Sequence, residues 1–185
     1  MSGAVLDRAK TNEAPPRNEG TLPCLVTPNT NALRDTLGYF ATGVTVVTCL
    51  SEKDEKLGVT ANSFNSVSLD PPLVLFSLAR DLNCIDAFQA AKHYAINVLG
   101  AHQRQISQQF ASPLADKWAD IRVGSSDFDC PIINDALAVL ECESWRQYDG
   151  GDHDIFVARV LGIFRNSVHD PLLYYRGDYR YVGPD

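Results

Sequence analysis

The alternation of apolar and polar positions organises the chain from about residue 31 onward. Leu33, Leu37 and Phe40 fall on one helical face over Ala32–Phe40, with Asn31 as a candidate N-cap and Gly43 as a stop. Val44–Leu50 (VTVVTCL) is dense in β-branched residues and predicts a buried strand. A charged turn at Lys53–Lys56 separates it from short strands at Leu57–Asn62 and Asn65–Leu69, the second ended by Asp70-Pro71-Pro72. Leu73–Ala79 (LVLFSLA) is apolar enough for a strand covered on both faces. A short helix over Asn83–Ala91 turns Ile85, Phe88 and Ala91 inward, and Tyr94–Leu99 returns as a strand. Gln103–Phe110 predicts a polar helix with Ile106 and Phe110 on one side. After a loop at Gly124–Pro131, strands follow at Ala138–Tyr148 and Ile155–Phe164, split by the turn Asp149-Gly150-Gly151-Asp152. Leu172–Arg176 and Tyr179–Val182 flank Gly177-Asp178 as a tight hairpin.

These runs amount to seven to nine strands with three or four short helices. Strand follows strand too often for a doubly wound sheet, so the expected fold is mainly β (α+β), a closed or half-closed barrel with helices on its flanks. Residues 1–30 carry Pro, Asn, Glu, Gly and Thr without an apolar period and predict a flexible N-terminal arm, with residues 31–185 as one domain. A length of 185 residues fits that organisation.

Charge narrows the function. Sixteen basic against 23 acidic residues leave a formal charge of −7, the wrong sign for a phosphate-backbone binder or for polybasic attachment to an anionic membrane. The first 23 residues lack the apolar core of a secretory signal, and no apolar run approaches a spanning helix, which points to a cytosolic protein. Five scattered cysteines (Cys24, Cys49, Cys84, Cys130, Cys142) form no C-x-x-C pair and read as reduced thiols. Gly38–Thr45 has the glycine spacing of a P-loop, but Val44 stands where the lysine is needed. There is no G-x-G-x-x-G, no nucleophile elbow and no paired histidine spacing, and Asp152-His153-Asp154 is not a complete metal-ligand set.

The informative stretch is Gly58–Val74, where Thr60, Asn62, Ser63, Asn65, Ser66 and Ser68 crowd between two apolar strands. Such hydroxyls, amides and backbone N–H groups can cradle a phosphate or the polar edge of a planar ring, or they can satisfy their own turn. GVTANSFNSVSLDPPLVLFSL closely resembles the signature of the short flavin reductases that serve two-component monooxygenases. In the same order, Phe40–Thr48, Ala79–Leu99, Gln103–Phe110 with Asp116-Lys117-Trp118, Cys142, Gly151-Asp152-His153 with Ile155–Val160, and Pro171–Tyr179 resemble further segments of that family. The likeness spans residues 31–183.

The resemblance implies a split β-barrel of the FMN-binding type, a homodimer, and FMN or FAD at the subunit interface. It implies that Thr60, Ala61, Asn62 and Ser63 line the ring and ribityl chain, that Ser77, Asn83 and Cys84 face the phosphate end, and that Phe110 packs near the flavin. Cys84, a poor phosphate donor, is expected to pack and not to act in redox. His153 is expected beside the nicotinamide of NADH, with Tyr175, Arg176 and Tyr179 near the same pocket and Arg176 facing either a phosphate or a surface Asp. No Arg/Lys cluster marks a 2′-phosphate site, which favours NADH over NADPH. The implied activity is hydride transfer from NAD(P)H to flavin, with reduced flavin supplied to a partner monooxygenase. The rival readings are a flavin oxidase holding FMN tightly and a non-catalytic flavin-binding protein.

Overall fold

A computed structural model describes residues 27–113, 116–124, 126–166 and 169–183. The expected arm over residues 1–30 lies outside the described residues except at its end, where α1 (Thr30–Leu37) begins. Its cap is Asn29, not Asn31: with its backbone extended, the Asn29 side chain accepts from the Ala32 N–H at 2.9 Å. The strands are β1 (Thr42–Gly43), β2 (Thr45–Leu50), β3 (Lys56–Ala61), β4 (Asn65–Leu69), β5 (Pro72–Ala79), β6 (His93–Val98), β7 (Val123–Gly124), β8 (Ile132–Ile133), β9 (Ala138–Asp149), β10 (His153–Arg165), β11 (Leu173–Tyr175) and β12 (Asp178–Arg180). Helix α2 (Ile85–Ala90) leads into β6, and α3 (Arg104–Ala111) follows a 3₁₀ turn at Ala101–Gln103. The strands beyond the expected number are the two-residue pieces β1, β7 and β8, too short to leave an apolar period.

Seven strands form one antiparallel sheet in the order β3-β2-β6-β9-β10-β5-β4. β9 and β10 are its long spine, and β-bulges at Val157/Ala158 and Val160/Gly162 add local twist. The main core contains Val47, Val59, Val74, Phe76, Tyr94 and Phe156, residues drawn from both ends of the sheet and its middle. Phe76 and Phe156 stack with centroids 5.1 Å apart, and Tyr94 meets Phe76 edge-on at 5.3 Å while its hydroxyl donates to the Phe88 carbonyl. The opposite side of β2 carries a second core, in which Val44, Val46 and Leu99 meet Phe110 and Leu172. β2 is therefore covered on both faces, as its run of β-branched residues requires.

β5 departs from expectation. Val74, Phe76 and Leu78 point inward, but Leu73, Leu75 and Ser77 are only half-buried, because β5 lies beside the edge strand β4 and no second layer among the described residues covers it. The apolar face expected around α1 is exposed, with Leu37 62% and Phe40 73% accessible. In the closing hairpin the turn is Arg176-Gly177, one residue earlier than Gly177-Asp178. Both residues have positive φ (53° and 76°), the geometry of a type I′ turn. Arg176 is held there by its N–H to the Gly38 carbonyl and by packing over Tyr39. Among the described residues no helix is long and apolar enough to cross a membrane.

Candidate functional site

Among the described residues strand β3 pairs only with β2, so one edge of the large sheet stays open along Lys56–Ala61. Alternate backbone N–H and C=O groups on such an edge have no ladder partner and face outward. Along this edge runs a cleft of ≈ 740 Å³. Its other walls are Ser77–Ala79 of β5, the loop Asp81–Cys84, the end of α3 at Phe110 with Ser112 and Pro113, the Lys117-Trp118 pair, and His153.

Three contacts set the shape of the cleft. The Ser63 hydroxyl accepts from Ser77 N–H and donates to Ser77 C=O, both at 2.9 Å, and thereby ties the chain after β3 to β5 at the far end of the sheet. The Thr60 hydroxyl donates to the Ser107 carbonyl of α3 at 2.7 Å. Phe110 packs tightly against Gly58, where an added Cβ would stand 2.5 Å from its ring. The hydroxyl protons of Thr60 and Ser63 are thus committed to the scaffold. On this strand and the residue after it, the donors left for a ligand are the β3 edge amides and the exposed Asn62 amide.

At one flank Trp118 meets the Phe110 ring edge-on at 4.8 Å and donates its indole N–H to the Lys56 carbonyl at 2.7 Å. Lys117 donates to the Phe110 carbonyl at 3.0 Å, which places a half-buried ammonium in the wall opposite Asn83 and Cys84. Burial pushes the Cys84 thiol above its ordinary pKa, and the Lys117 charge only partly opposes this, so Cys84 is a packing thiol at neutral pH. At the other flank His153 opens β10 opposite Ala79, with Nδ1 2.7 Å from an Asp152 carboxylate oxygen. That contact holds the Asp152 carboxyl below the usual carboxylate range. The turn before His153 is braced by Arg80, whose guanidinium reaches Asp149 at 2.8 Å and Asp154 at 2.7 Å, while Gln89 donates to the second Asp154 oxygen.

Of the residues expected at the site, Thr60, Ala61, Asn62, Ser63, Ser77, Asn83, Cys84, Phe110 and His153 all line this cleft. Tyr175, Arg176 and Tyr179 do not. Arg176 is exposed and packs over Tyr39 and Tyr175, whereas Tyr179 reaches α3 from behind through a 2.8 Å contact between its hydroxyl and that of Ser107. Sequence reasoning assigned no role to Gly58, Lys117 or Trp118. The Asp116-Lys117-Trp118 segment stood out as a motif, but nothing local says that its cation and indole fold back onto β3. An open strand edge suits the hydrogen-bonding rim of a planar heterocycle, the aromatic and aliphatic walls suit its faces, and Lys117 offers a charge for an anionic tail.

Residues 37–183 match the flavin reductase like domain family. The chain is 42% identical to the reductase component of the flavin-dependent trigonelline monooxygenase of Acinetobacter baylyi over 80% of its own length and 47% of that protein's. It is 41% identical to the FMN reductase (NADH) SmoA of Agrobacterium fabrum, covering 80% of this chain and 84% of that one. The solved structure of the NADH:FAD oxidoreductase SgcE6 of Streptomyces globisporus, in complex with NAD and FAD fragments, superposes with a TM-score of 0.82 at 38% identity, covering 87% of this chain and 98% of that chain. The chain spans about half the length of some of the curated relatives it matches.

Proposed function

The chain belongs to the flavin reductase like family, and on that premise we propose that it is an NAD(P)H:flavin oxidoreductase, with NADH preferred, acting on FMN or FAD. The observation that carries this reading is the cleft on the open edge of β3, which is lined by nine of the residues that the resemblance implies for the site. The activities named for SmoA and SgcE6, both with NADH, support the choice of donor.

The edge amides of β3 and Asn62 hold the polar rim of the flavin ring, Phe110 and Trp118 shield it from water, and Lys117 with Asn83 faces the phosphate. His153, oriented by Asp152, meets the nicotinamide carboxamide. Bound flavin supplies the hydride-accepting chemistry and NADH the hydride, so the protein's part is alignment and exclusion of water. The half-buried Ser77 and Cys84 complete the wall without titrating. We infer that a partner monooxygenase consumes the reduced flavin, as the name of the trigonelline reductase component says of that protein.

The split-barrel reading is supported by a sheet that wraps one core and by the Ser63–Ser77 tie between its ends. A homodimer is supported by apolar side chains that the described residues leave uncovered on α1, just after it and on β10, namely Leu37, Phe40 and Ile163. The four cysteines among the described residues are all free thiols, which suits a reducing compartment.

The test is NADH oxidation by the purified chain with and without added FMN or FAD, beside its visible spectrum. Loss of NADH only on addition of flavin establishes a diffusible-flavin reductase. A yellow protein that turns over unaided indicates a held prosthetic group, and no oxidation under any condition overturns the reading.

A further inference from the structure

Tyr179 does not line the cleft, yet it is joined to the cleft wall by two hydrogen bonds in series. Its hydroxyl lies 2.8 Å from the Ser107 hydroxyl, and the Ser107 carbonyl accepts the Thr60 hydroxyl at 2.7 Å. Ser107 is fully buried on α3. A buried helical serine ordinarily turns its hydroxyl back onto a carbonyl of its own helix. Here the partner comes from β12, 72 residues away in sequence.

The geometry on either side gives this link a purpose. Gly58 and Thr60, two apart on β3, share a face, and Ser107 and Phe110, three apart on α3, share another. The Thr60–Ser107 hydrogen bond and the Phe110–Gly58 packing therefore join the same strand edge to the same helical turn. Behind that turn, Tyr179 is itself fixed. Its ring meets Tyr174 edge-on at 5.5 Å and lies beneath the Arg104 guanidinium at 5.1 Å. Tyr174 is also its cross-strand partner in the β11–β12 hairpin.

We propose that Tyr179 is a positioning residue for the cleft: through Ser107 it sets how closely α3 approaches the open edge of β3, and so seats Phe110 and Thr60 against the flavin ring. The proposal rests on the reading of the cleft as a flavin site, and it makes the C-terminal hairpin part of that site without any direct contact to ligand.

Tyr179→Phe removes only the hydroxyl and leaves the ring packing. It is expected to raise the dissociation and Michaelis constants for flavin about fivefold, since one buried hydroxyl loses its partner. The NADH constant and the turnover at saturating flavin should stay at wild-type values, and the absorption bands of bound flavin should shift. Because Tyr179→Phe and Ser107→Ala break the same link, the double variant should bind flavin no worse than either single variant. Wild-type flavin affinity in Tyr179→Phe, or multiplicative losses in the double variant, would overturn the proposal. If the wild-type chain bound neither FMN nor FAD, the flavin reading itself would fall. Amide exchange in the ligand-free protein would then decide the relay: faster exchange at residues 58–61 and 107–111 in Tyr179→Phe supports it, and unchanged exchange overturns it.

Discussion

His153 heads β10 with its Nδ1 committed to Asp152, leaving the other ring nitrogen for a ligand in the cleft. His153→Ala should therefore raise the NADH Michaelis constant about tenfold or more and move the flavin constant far less. Steady-state kinetics with each substrate varied in turn checks this, and equal effects on both constants would place the residue in folding or flavin binding. Gly58 is constrained in the opposite way, by what it lacks. Phe110 is fully buried and cannot swing clear of a new Cβ, so Gly58→Ala should lower stability by about 1–3 kcal/mol in a urea titration and weaken flavin binding with it. His153 and the Thr60–Ser63 segment were legible because their motifs are local. Lys117 and Trp118 were not, since what matters about them is a fold-back onto Phe110 and Lys56 across the chain.

At the scale of elements, the turn between β9 and β10 is shaped by charge. Arg80 donates to Asp149 and Asp154, Gly151 N–H donates to Asp149, and hydrogen bonds keep Asp149, Asp152 and Asp154 all below the usual carboxylate range. A carboxyl with a lowered folded pKa binds protons better in the unfolded chain. Its contribution is present above the unfolded value near 4 and is lost as pH falls through the folded one. Thermal melts should show stability falling below about pH 4. Arg80→Gln should be less stable than wild type at neutral pH, with the difference closing as the pH drops toward about 3. A constant difference across that range would deny the Arg80 cluster this role. The boundaries of β4, β5, β9 and β10 were readable to within about two residues from period and turn signals. The hairpin turn was not. Gly177 drew the prediction to Gly177-Asp178, whereas the register places Arg176 at positive φ, held by Gly38 and Tyr39 from the other end of the chain.

Over the whole molecule, apolar surface is left open on α1 and on β10, where Leu37 and Ile163 are each 62% exposed. Isolated apolar residues on a surface need no explanation, but a helix face patterned for burial and left bare does. We expect the chain to sediment as a dimer, and Ile163→Asp or Leu37→Asp to shift it toward monomer at micromolar concentration. A wild-type monomer would remove the homodimer and leave the cleft standing. The sequence by itself determined a mainly β chain and the order of its principal elements, and its family-like motifs pointed to nine residues that line one cleft, because each of these depends on local period, turn chemistry or a contiguous motif. Only the tertiary structure decided that β3 is an edge with free backbone groups, that Thr60 and Ser63 spend their hydroxyl protons on the scaffold, and that Tyr179 reaches the cleft through α3. Each of these is a property of pairings between residues far apart along the chain, and such pairings follow from the packing of the whole sheet, which no local window of residues contains.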